Sequence, residues 1–529
     1  MRYSATPVEN AARIGEVVLL APFTWARSAC SCCLLLLHVA SLSWSPALWG
    51  QSSVATIPSS AAGIFQLDSK DQSTLVKEDA DASERSIRRA LEKQPNSMKL
   101  LTDLAQLLEK ENKQVAALYY WKQAAMLDPS DLRLQLSVAT LTADLGDQQS
   151  ALEALRRIAT SNPQFEPAVV EMGEVLCRLG DYTNGIAELQ KALALDPADS
   201  MARMSLVKAL LSLNRYAAAT VEIVPYLANH PEDGEAHDLL GIAYLGEDQL
   251  TGAEEELRKA SALDAKLPNL NRNLGVAILR QGRPEEALSY LDHAIYEKPD
   301  DPDVHFFRMQ AYKALHRSDA ANAEVAQVAR LKSQQVTRDR ISQLVAQAKQ
   351  LAEKNHLTNA LETYRQALDI DPHDGNVRYE AAVIEDQLGR IAEEEEDLRR
   401  AEADAPTVAA IHNQLGTIEI RNGHYLEAKR ELQLAMAASP NYYAALGNLG
   451  VAYANLGERE RAIQCFEQAT ELNPEYEQGY LNLGFIFAAI GDRVQAERAL
   501  QRVLAIDPSD PRVASLKREI AVLARPSSL

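Results

Sequence analysis

The sequence predicts an all-α fold in which antiparallel helix hairpins stack in a long array. Three observations predict it: prolines recur every 34 residues, small residues recur at two fixed places between them, and no other stretch of domain size remains. One hairpin cannot bury its own apolar face, so such units are stable only when they stack. The prolines that keep this spacing form two runs: Pro95, Pro129, Pro163, Pro197, Pro231 and Pro299, then Pro372, Pro406, Pro440, Pro474 and Pro508.

Small residues keep the same phase as the prolines. With the proline counted as position 32 of a unit, position 8 holds Gly416 and Gly450 in successive units, and position 20 holds Ala428 and Ala462. Small side chains at these two points let two antiparallel helices approach closely, while large residues such as Phe466 fill the space around them. The proline then ends the second helix of each hairpin.

Residues 1–50 have the order of a cleaved secretory signal. Arg27 precedes a short apolar core at 28–40, and small residues follow it. The core is shorter than the roughly 20 residues that a stable membrane-spanning helix needs. An uncleaved single-pass anchor and a mis-assigned start are the alternatives. Cleavage is expected after one of three small residues: Ala47, Gly50 or Ala55.

The rest of the chain divides by the phase of the repeats. Residues 51–63 are expected to form a flexible lead-in and 64–333 an N-terminal array. The phase breaks once, by five extra residues, and the polar stretch 334–340 is predicted to be a helical spacer, with a loop insertion as the alternative. Residues 341–510 then form a C-terminal array, and 511–529 a capping helix and tail.

The unit Tyr443–Pro474, YAALGNLGVAYANLGERERAIQCFEQATELNP, carries the features by which the chain resembles a known family. Its Leu, Gly, Tyr, Ala, Phe, Ala and Pro positions resemble those of the tetratricopeptide repeat family. The resemblance implies a right-handed superhelical solenoid of about twelve 34-residue units over Met98–Pro508. A partial unit, whose second helix is expected at Ala82–Lys93, precedes them.

Composition and charge exclude several classes of protein. The 529 residues are 47% apolar and 24% charged, which is typical neither of a disordered nor of a collagenous chain. The formal charge of −20 and the pI of about 5.1 give no electrostatic reason to bind nucleic acid or an anionic membrane surface. Membrane contact is expected only through an uncleaved signal or through partner proteins.

Motifs of catalysis and of metal binding are missing from the sequence. It contains no HExxH, paired CxxC, P-loop, GxGxxG or GxSxG pattern, so we expect no enzyme, no cofactor and no metal site. His230, His293 and His373 fall near predicted turns and are expected to be surface residues. Cys177 and Cys465 lie too far apart along the array for a disulfide and are predicted to be free thiols.

The acidic run at 393–397 is expected to be a solvated helix face, with a site for a cation or a basic partner as the alternative. Glu394 stands at position 20, where the other units mostly carry Ala. We therefore predict that it loosens its unit.

The resemblance to the family implies that the first helix of each hairpin lines a concave groove that binds partners. In the C-terminal groove, amide side chains could grip the backbone of an extended peptide, because each offers both a donor and an acceptor. The alternative is that amides are common at these positions in the family whatever the ligand, and do not mark a peptide site. The predicted contacts of this groove are Asn273, Asn413, Gln414, Asn448, Val451, Leu481, Asn482 and Phe485.

The N-terminal groove has a mixed lining with net negative charge, which would favour a different partner segment. Its predicted contacts are Glu171, Glu174, Cys177, Arg178, Met204, Ser205, Lys208, Glu235 and Asp238.

These observations favour a non-enzymatic adaptor, exported by a bacterium to the periplasm or envelope, that binds other proteins or peptides. One alternative is a periplasmic structural scaffold for envelope assembly or polysaccharide export. A second alternative is the targeting subunit of a transferase whose catalytic chain is separate. The oligomeric state is left open.

Overall fold

A computed structural model describes residues 82–523. They form 25 α-helices and no strand, which confirms the predicted all-α fold for this part of the chain. Within the range, none of the helices combines the length and hydrophobicity that a bilayer-spanning segment requires. The predicted signal at 1–50, the lead-in at 51–63, the start of the array at 64–81 and the tail at 524–529 lie outside the described residues.

The described residues fall into two compact units. The split unit comprises 82–128 together with 340–523, and the middle unit comprises 129–339. These units differ from the two predicted arrays, because 82–128 groups with the end of the chain. Within the split unit, the Asn441 amide donates to the carbonyl of Asn112 over 3.4 Å, and the Arg502 guanidinium lies over the Tyr119 ring, 5.9 Å from its centroid.

Most of the helices are 13 or 14 residues long. The chain opens with α1 (82–93), α2 (Met98–Lys110) and α3 (Gln114–Leu127). The middle unit then holds α4 (Leu132–Asp144), α5 (Gln148–Ser161), α6 (Glu166–Arg178), α7 (Tyr182–Leu195), α8 (Ser200–Ser212), α9 (Tyr216–Asn229), α10 (Gly234–Gly246), α11 (Leu250–Leu263), α12 (Leu270–Arg280), α13 (Pro284–Glu297) and α14 (Pro302–Ala314).

A long helix, α15 (Ser318–Glu353), follows and is 36 residues long. It takes the place of the second helix of one hairpin and the first helix of the next, and the predicted spacer at 334–340 lies inside it. The remaining helices are α16 (Leu357–Ile370), α17 (Gly375–Gln387), α18 (Ile391–Asp404), α19 (Ala409–Arg421), α20 (Tyr425–Ala438), α21 (Tyr443–Asn455), α22 (Arg459–Leu472), α23 (Glu477–Ile490), α24 (Arg493–Ile506) and α25 (Arg512–Leu523).

Close packing within each hairpin explains the small residue at position 8. A Cβ atom added to Gly450 in α21 would lie 2.8 Å from a ring carbon of Phe466 in α22. One added to Gly416 in α19 would lie 2.6 Å from Leu432 in α20. Both partners are completely buried, so the missing side chain lets a large residue of the second helix reach the backbone of the first.

The turn between the two helices of a hairpin needs a residue in the left-handed region. Gly457, between α21 and α22, has a φ of 78°, which glycine adopts without steric cost. At the equivalent turn between α14 and α15, His316 has a φ of 56°. These turns reverse the chain and set the helices antiparallel.

The last helix closes the stack as predicted. Val513, Leu516 and Ile520 of α25 are buried against the preceding hairpin. Leu516 lies next to Gly484 of α23, where an added Cβ atom would approach it to 2.6 Å. The apolar face of the final hairpin is therefore covered within the chain, as a terminal unit requires.

Candidate partner-binding grooves

In the middle unit, the predicted groove residues lie on three first helices: α6, α8 and α10. Their charges are largely paired with one another. The Arg178 guanidinium donates to Glu171 and, from the preceding first helix, to Asp144, with both N–O distances at 2.8 Å. Lys208 pairs with Glu235 of the next first helix at 2.7 Å. This lining is therefore a row of ion pairs that link neighbouring units.

Two uncharged residues complete the same row. The Ser205 hydroxyl donates to Glu174 over 2.6 Å, which ties α8 to α6. Met204 is half-buried beside it, and Cys177 is buried as a free thiol. Burial, with smaller contributions from Glu174 and Asp181, raises the pKa of the Cys177 thiol to about 11, so the thiol is unreactive at neutral pH.

Asp238 and Asn273 form a buried pair between α10 and α12. The Asn273 amide donates to the Asp238 carboxyl over 3.4 Å, and both side chains are buried. Burial raises the pKa of Asp238 to about 7, although Asn273 and Arg272 oppose the shift. Asn273 was predicted for the C-terminal groove, but it lies in the middle unit, next to a residue of the N-terminal set.

In the split unit, three asparagines lie on consecutive first helices: Asn413 on α19, Asn448 on α21 and Asn482 on α23. The Asn448 amide donates to the side-chain oxygen of Asn413 and to Thr417, both over 3.0 Å. The Asn413 amide in turn donates to the Tyr442 hydroxyl over 3.4 Å. Asn413 and Asn448 thus bond to each other across two consecutive units.

Asn482 differs from the other two asparagines. Its oxygen accepts from Gln478 over 3.0 Å, but its amide nitrogen is buried and has no acceptor among the described residues. Asn448 and Asn273 each donate to a residue 35 positions earlier, Asn413 and Asp238 respectively. For Asn482 the position 35 residues earlier is Gly447, which has no side-chain acceptor. An amide without an acceptor costs about 1–3 kcal/mol when it is buried.

The other predicted contacts of this groove are placed differently. Gln414 turns away from Asn413 and donates to Glu394 of α18 over 2.9 Å. Leu481 is completely buried in a core cluster and Val451 is nearly so, which makes both of them packing residues. Phe485 is half-buried and remains accessible beside the amides.

The acidic run at 393–397 is not a uniformly solvated face. Glu394 and Asp397 are buried, which corrects the prediction for these two residues. Arg421 donates twice to Glu394, each time over 2.9 Å, and Arg378 pairs with Asp397 at 3.2 Å. Burial raises the pKa of Glu394 even though Gln414 and Arg421 favour its ionised form. The carboxylate at the alanine position therefore has partners that the sequence did not reveal.

The three histidines predicted to lie near turns are exposed. His230 stacks on Tyr226 with ring centroids 4.2 Å apart, and His373 contacts Asp404 at 2.9 Å. His293 contacts the backbone oxygen of Ser289 at 2.7 Å.

Sequence reasoning missed a recurring bridge at position 4 of the first helices. In each case a side chain contacts the carbonyl of the inter-unit proline six residues earlier and a carboxylate 19 residues later. For His412 these partners are Pro406 and Glu431, each at 2.9 Å. A search of the sequence for a His or Arg with a proline six residues earlier and an acidic residue 19 residues later would have found these bridges. The bridging residues are Arg203, His237, His305, Arg378 and His412.

Family models agree with the stacked helix hairpins of the structure. Three models described as tetratricopeptide repeat match the chain, one at 443–476, one at 176–242, 244–311 and 460–520, and one at 345–409. The matches and the stacked hairpins agree, and the chain belongs to the tetratricopeptide repeat family. No curated protein matches the chain.

Several solved structures are similar to parts of the chain. MamA from Desulfovibrio magneticus RS-1 is 26% identical, over 32% of this chain and 94% of MamA, with a TM-score of 0.30. The Cut9–Hcn1 structure of the APC/C is 14% identical over 85% of this chain and 94% of the matched chain, with a TM-score of 0.36. YrrB, described as having an unusual peptide-binding site, is 20% identical over 43% of this chain and 97% of YrrB, with a TM-score of 0.29. These TM-scores are low, so the family assignment rests on the sequence models.

Proposed function

We propose that the chain is a non-catalytic scaffold that holds an extended segment of a partner protein along the amides of the split unit. One observation carries the proposal: within residues 82–523 the buried Asn482 amide nitrogen has no acceptor, and it lies at one end of a row of asparagines on consecutive first helices. If the side chain turned toward the groove, a carbonyl of a bound peptide would supply the missing acceptor and remove the cost of the unpaired donor.

Asn448 supports the same arrangement. It is half-buried, its hydrogen bonds to Asn413 and Thr417 both use its nitrogen, and its oxygen accepts no hydrogen bond from the described residues. The pair Asn448 and Asn482 thus offers one free acceptor and one free donor. Neighbouring helices pack about 8–10 Å apart, which is about three residues of an extended strand. One asparagine would therefore meet the peptide backbone at every third residue.

The middle unit is the weaker candidate for this peptide. Its groove charges are already paired, as in Lys208 with Glu235 and Arg178 with Glu171. A partner that bound there would have to replace these ion pairs, whereas in the split unit it would satisfy groups that lack a partner.

The proposal is tested by selecting binders from a display library of random peptides on the purified chain. The doubly substituted variant Asn448→Ala, Asn482→Ala is expected to bind the selected peptides about 5- to 150-fold more weakly, because two peptide hydrogen bonds of about 0.5–1.5 kcal/mol each are lost. Asn482→Ala alone should change the unfolding temperature little, since removal of the unpaired donor offsets loss of the hydrogen bond from Gln478.

Asn273→Ala is the matched control. It removes the equivalent inter-unit hydrogen bond in the middle unit and should leave peptide binding unchanged. Equal binding by the parent and the double variant would contradict the proposal, and so would loss of binding in Asn273→Ala.

We also propose export to the periplasm or envelope, which rests on residues 1–50. N-terminal sequencing of the protein from its native cells should find a start after Ala47, Gly50 or Ala55. An intact N-terminus in the membrane fraction would instead support the single-pass anchor.

A further inference from the structure

Three metal-binding side chains meet between consecutive helices of the split unit. Glu402 of α18, His412 of α19 and Glu431 of α20 each offer one ligand atom, and these atoms all lie within 4.8 Å of one another. His412 Nδ1 lies 2.9 Å from Glu431 Oε2 and 4.0 Å from Glu402 Oε1. His412 is buried and the two carboxylates are half-buried.

The other nitrogen of His412 already has a partner. Nε2 lies 2.9 Å from the carbonyl oxygen of Pro406, which can only accept, so Nε2 carries a proton. That bond fixes the ring and directs Nδ1 toward the two carboxylates. Without a metal ion Nδ1 shares a proton with Glu431, and a bound ion would displace that proton. Histidines that bind metal ions in proteins are commonly held by such a bond from the opposite nitrogen.

Two equivalent histidine bridges in the chain differ from the one at His412 in the charges around the carboxylate. His237 and His305 make the same pair of contacts, but there the carboxylate also binds a cation: Lys259 lies 2.8 Å from Glu256, and Arg308 lies 3.0 Å from Glu324. No lysine or arginine in residues 82–523 forms an ion pair with the carboxylates at His412. A second carboxylate, Glu402, stands there instead.

Glu402 also departs from the repeat pattern of its own chain. It occupies position 28, four residues before the inter-unit proline, where no other unit carries a charge. The equivalent residues are Leu91, Ala125, Ala159, Leu193, Leu227, Ser261, Ile295, Ala329, Leu368, Met436, Thr470 and Leu504.

We propose that Glu402, His412 and Glu431 bind a divalent transition-metal ion, with Zn²⁺ as the fitting case. A tetrahedral Zn²⁺ with bonds of about 2.0–2.2 Å places its ligand atoms about 3.4 Å apart, which the observed distances of 2.9 and 4.0 Å bracket. Water would fill the fourth position. One nitrogen and two carboxylate oxygens suit Zn²⁺ better than Ca²⁺ or Mg²⁺, which prefer oxygen ligands alone. The bound ion would join three consecutive helices.

The test is a titration of chelator-treated full chain with Zn²⁺, with Mg²⁺ as the comparison ion. Glu402→Leu is the decisive variant, because it restores the residue found at this position in other units and should fold normally. It is expected to lose one equivalent of bound Zn²⁺, or to bind it more than about 100-fold more weakly, since loss of an outer-shell partner alone costs 10–100-fold. Glu431→Gln should show the same loss.

His305→Gln is the matched control, because it breaks an equivalent bridge that has no second carboxylate. It should keep the Zn²⁺ equivalent. All variants retain the remaining Cys and His residues, so the difference from the parent isolates this site. Equal Zn²⁺ stoichiometry and affinity in the parent and in a folded Glu402→Leu variant would overturn the proposal, as would equal competition by Mg²⁺.

Discussion

Among single residues, Asp238 shows how burial alters the charge of a groove. Its carboxyl lies between α10 and α12 and has one hydrogen-bond donor, Asn273, at 3.4 Å. Burial raises its pKa to about 7, against an ordinary value near 3.8. The folded chain therefore holds this proton over a range of pH in which the unfolded chain has released it. It follows that this group lowers stability as the pH rises from about 4 to 7.

Asp238→Asn should remove this effect. We expect the variant to be more stable than the parent by on the order of 2 kcal/mol at pH 8, and nearly equal to it at pH 4.5, where the parent carboxyl is protonated. Urea unfolding at both pH values measures the difference. Glu235→Gln, on the same helix but half-exposed, is the control and should change stability by less than about 1 kcal/mol. A gain for Asp238→Asn that is the same at both pH values would contradict the assignment.

Glu394 shows where reasoning from sequence reached its limit. The repeat pattern located it at an alanine position, and a charge there was predicted to loosen its unit. The pattern could not show that Arg421, 27 residues later, reaches the same place. Long side chains that meet across units depend on rotamers and on the shape of the surrounding space, and a periodic pattern encodes neither.

Substitution of Glu394 separates the two interpretations. Glu394→Ala should destabilise the chain by about 1–3 kcal/mol, because it leaves the Arg421 guanidinium buried with only Asp386 as a partner. Glu394→Ala with Arg421→Met should restore most of that loss, since an apolar pair replaces the ionic one. Urea unfolding of the three proteins is the measurement. A Glu394→Ala variant more stable than the parent would support the sequence-based prediction instead.

Among the helices, α15 is the least typical. Leu331 and Ile341 are buried, but every residue between them is exposed, so this part of the helix has no tertiary packing. Local hydrogen bonds support it, such as the one from Gln335 to Asp339 over 2.7 Å. The sequence predicted this helix from the absence of Gly and Pro, but it could not exclude a loop, because a polar stretch without periodicity fits both.

A proline in the exposed part of α15 distinguishes a helix from a loop. Val336→Pro should cost about 3 kcal/mol, because proline removes a helical hydrogen bond and clashes with the preceding turn. Val336→Ala, at the same exposed position, should change stability by less than about 0.5 kcal/mol. Circular dichroism during urea unfolding gives both values. Full tolerance of the proline would contradict a continuous helix.

For the whole molecule, the repeats made the hairpins predictable. Each 34-residue unit encodes its own close contact, such as Gly450 with Phe466, so helix positions followed from local sequence. The grouping of 82–128 with 340–523 was not predictable in that way. It rests on contacts between residues 329 and 383 positions apart, such as Asn441 with Asn112 and Arg502 with Tyr119, which no periodic signal marks.

The same distinction applies to the candidate groove. The sequence placed Asn448 and Asn482 at position 6 of consecutive units, and Asn413 at position 5 of the unit before them, beside Gln414 at position 6. It did not reveal that Asn413 and Asn448 bond to each other, or that Asn482 lacks an acceptor, because these facts depend on the neighbouring unit. The one signal in the sequence was that polar residues 35 positions apart, such as Asn413 and Asn448, lie at bonded positions of neighbouring units.

We propose above that a partner peptide lies along the asparagines of the split unit. Hydrogen exchange of the backbone amides, measured with and without a peptide selected from the display library, tests it most directly. We expect added protection on α19, α21 and α23, and none on α6, α8 and α10. Protection confined to the middle unit or to the second helices, such as α20 and α22, would contradict the claim.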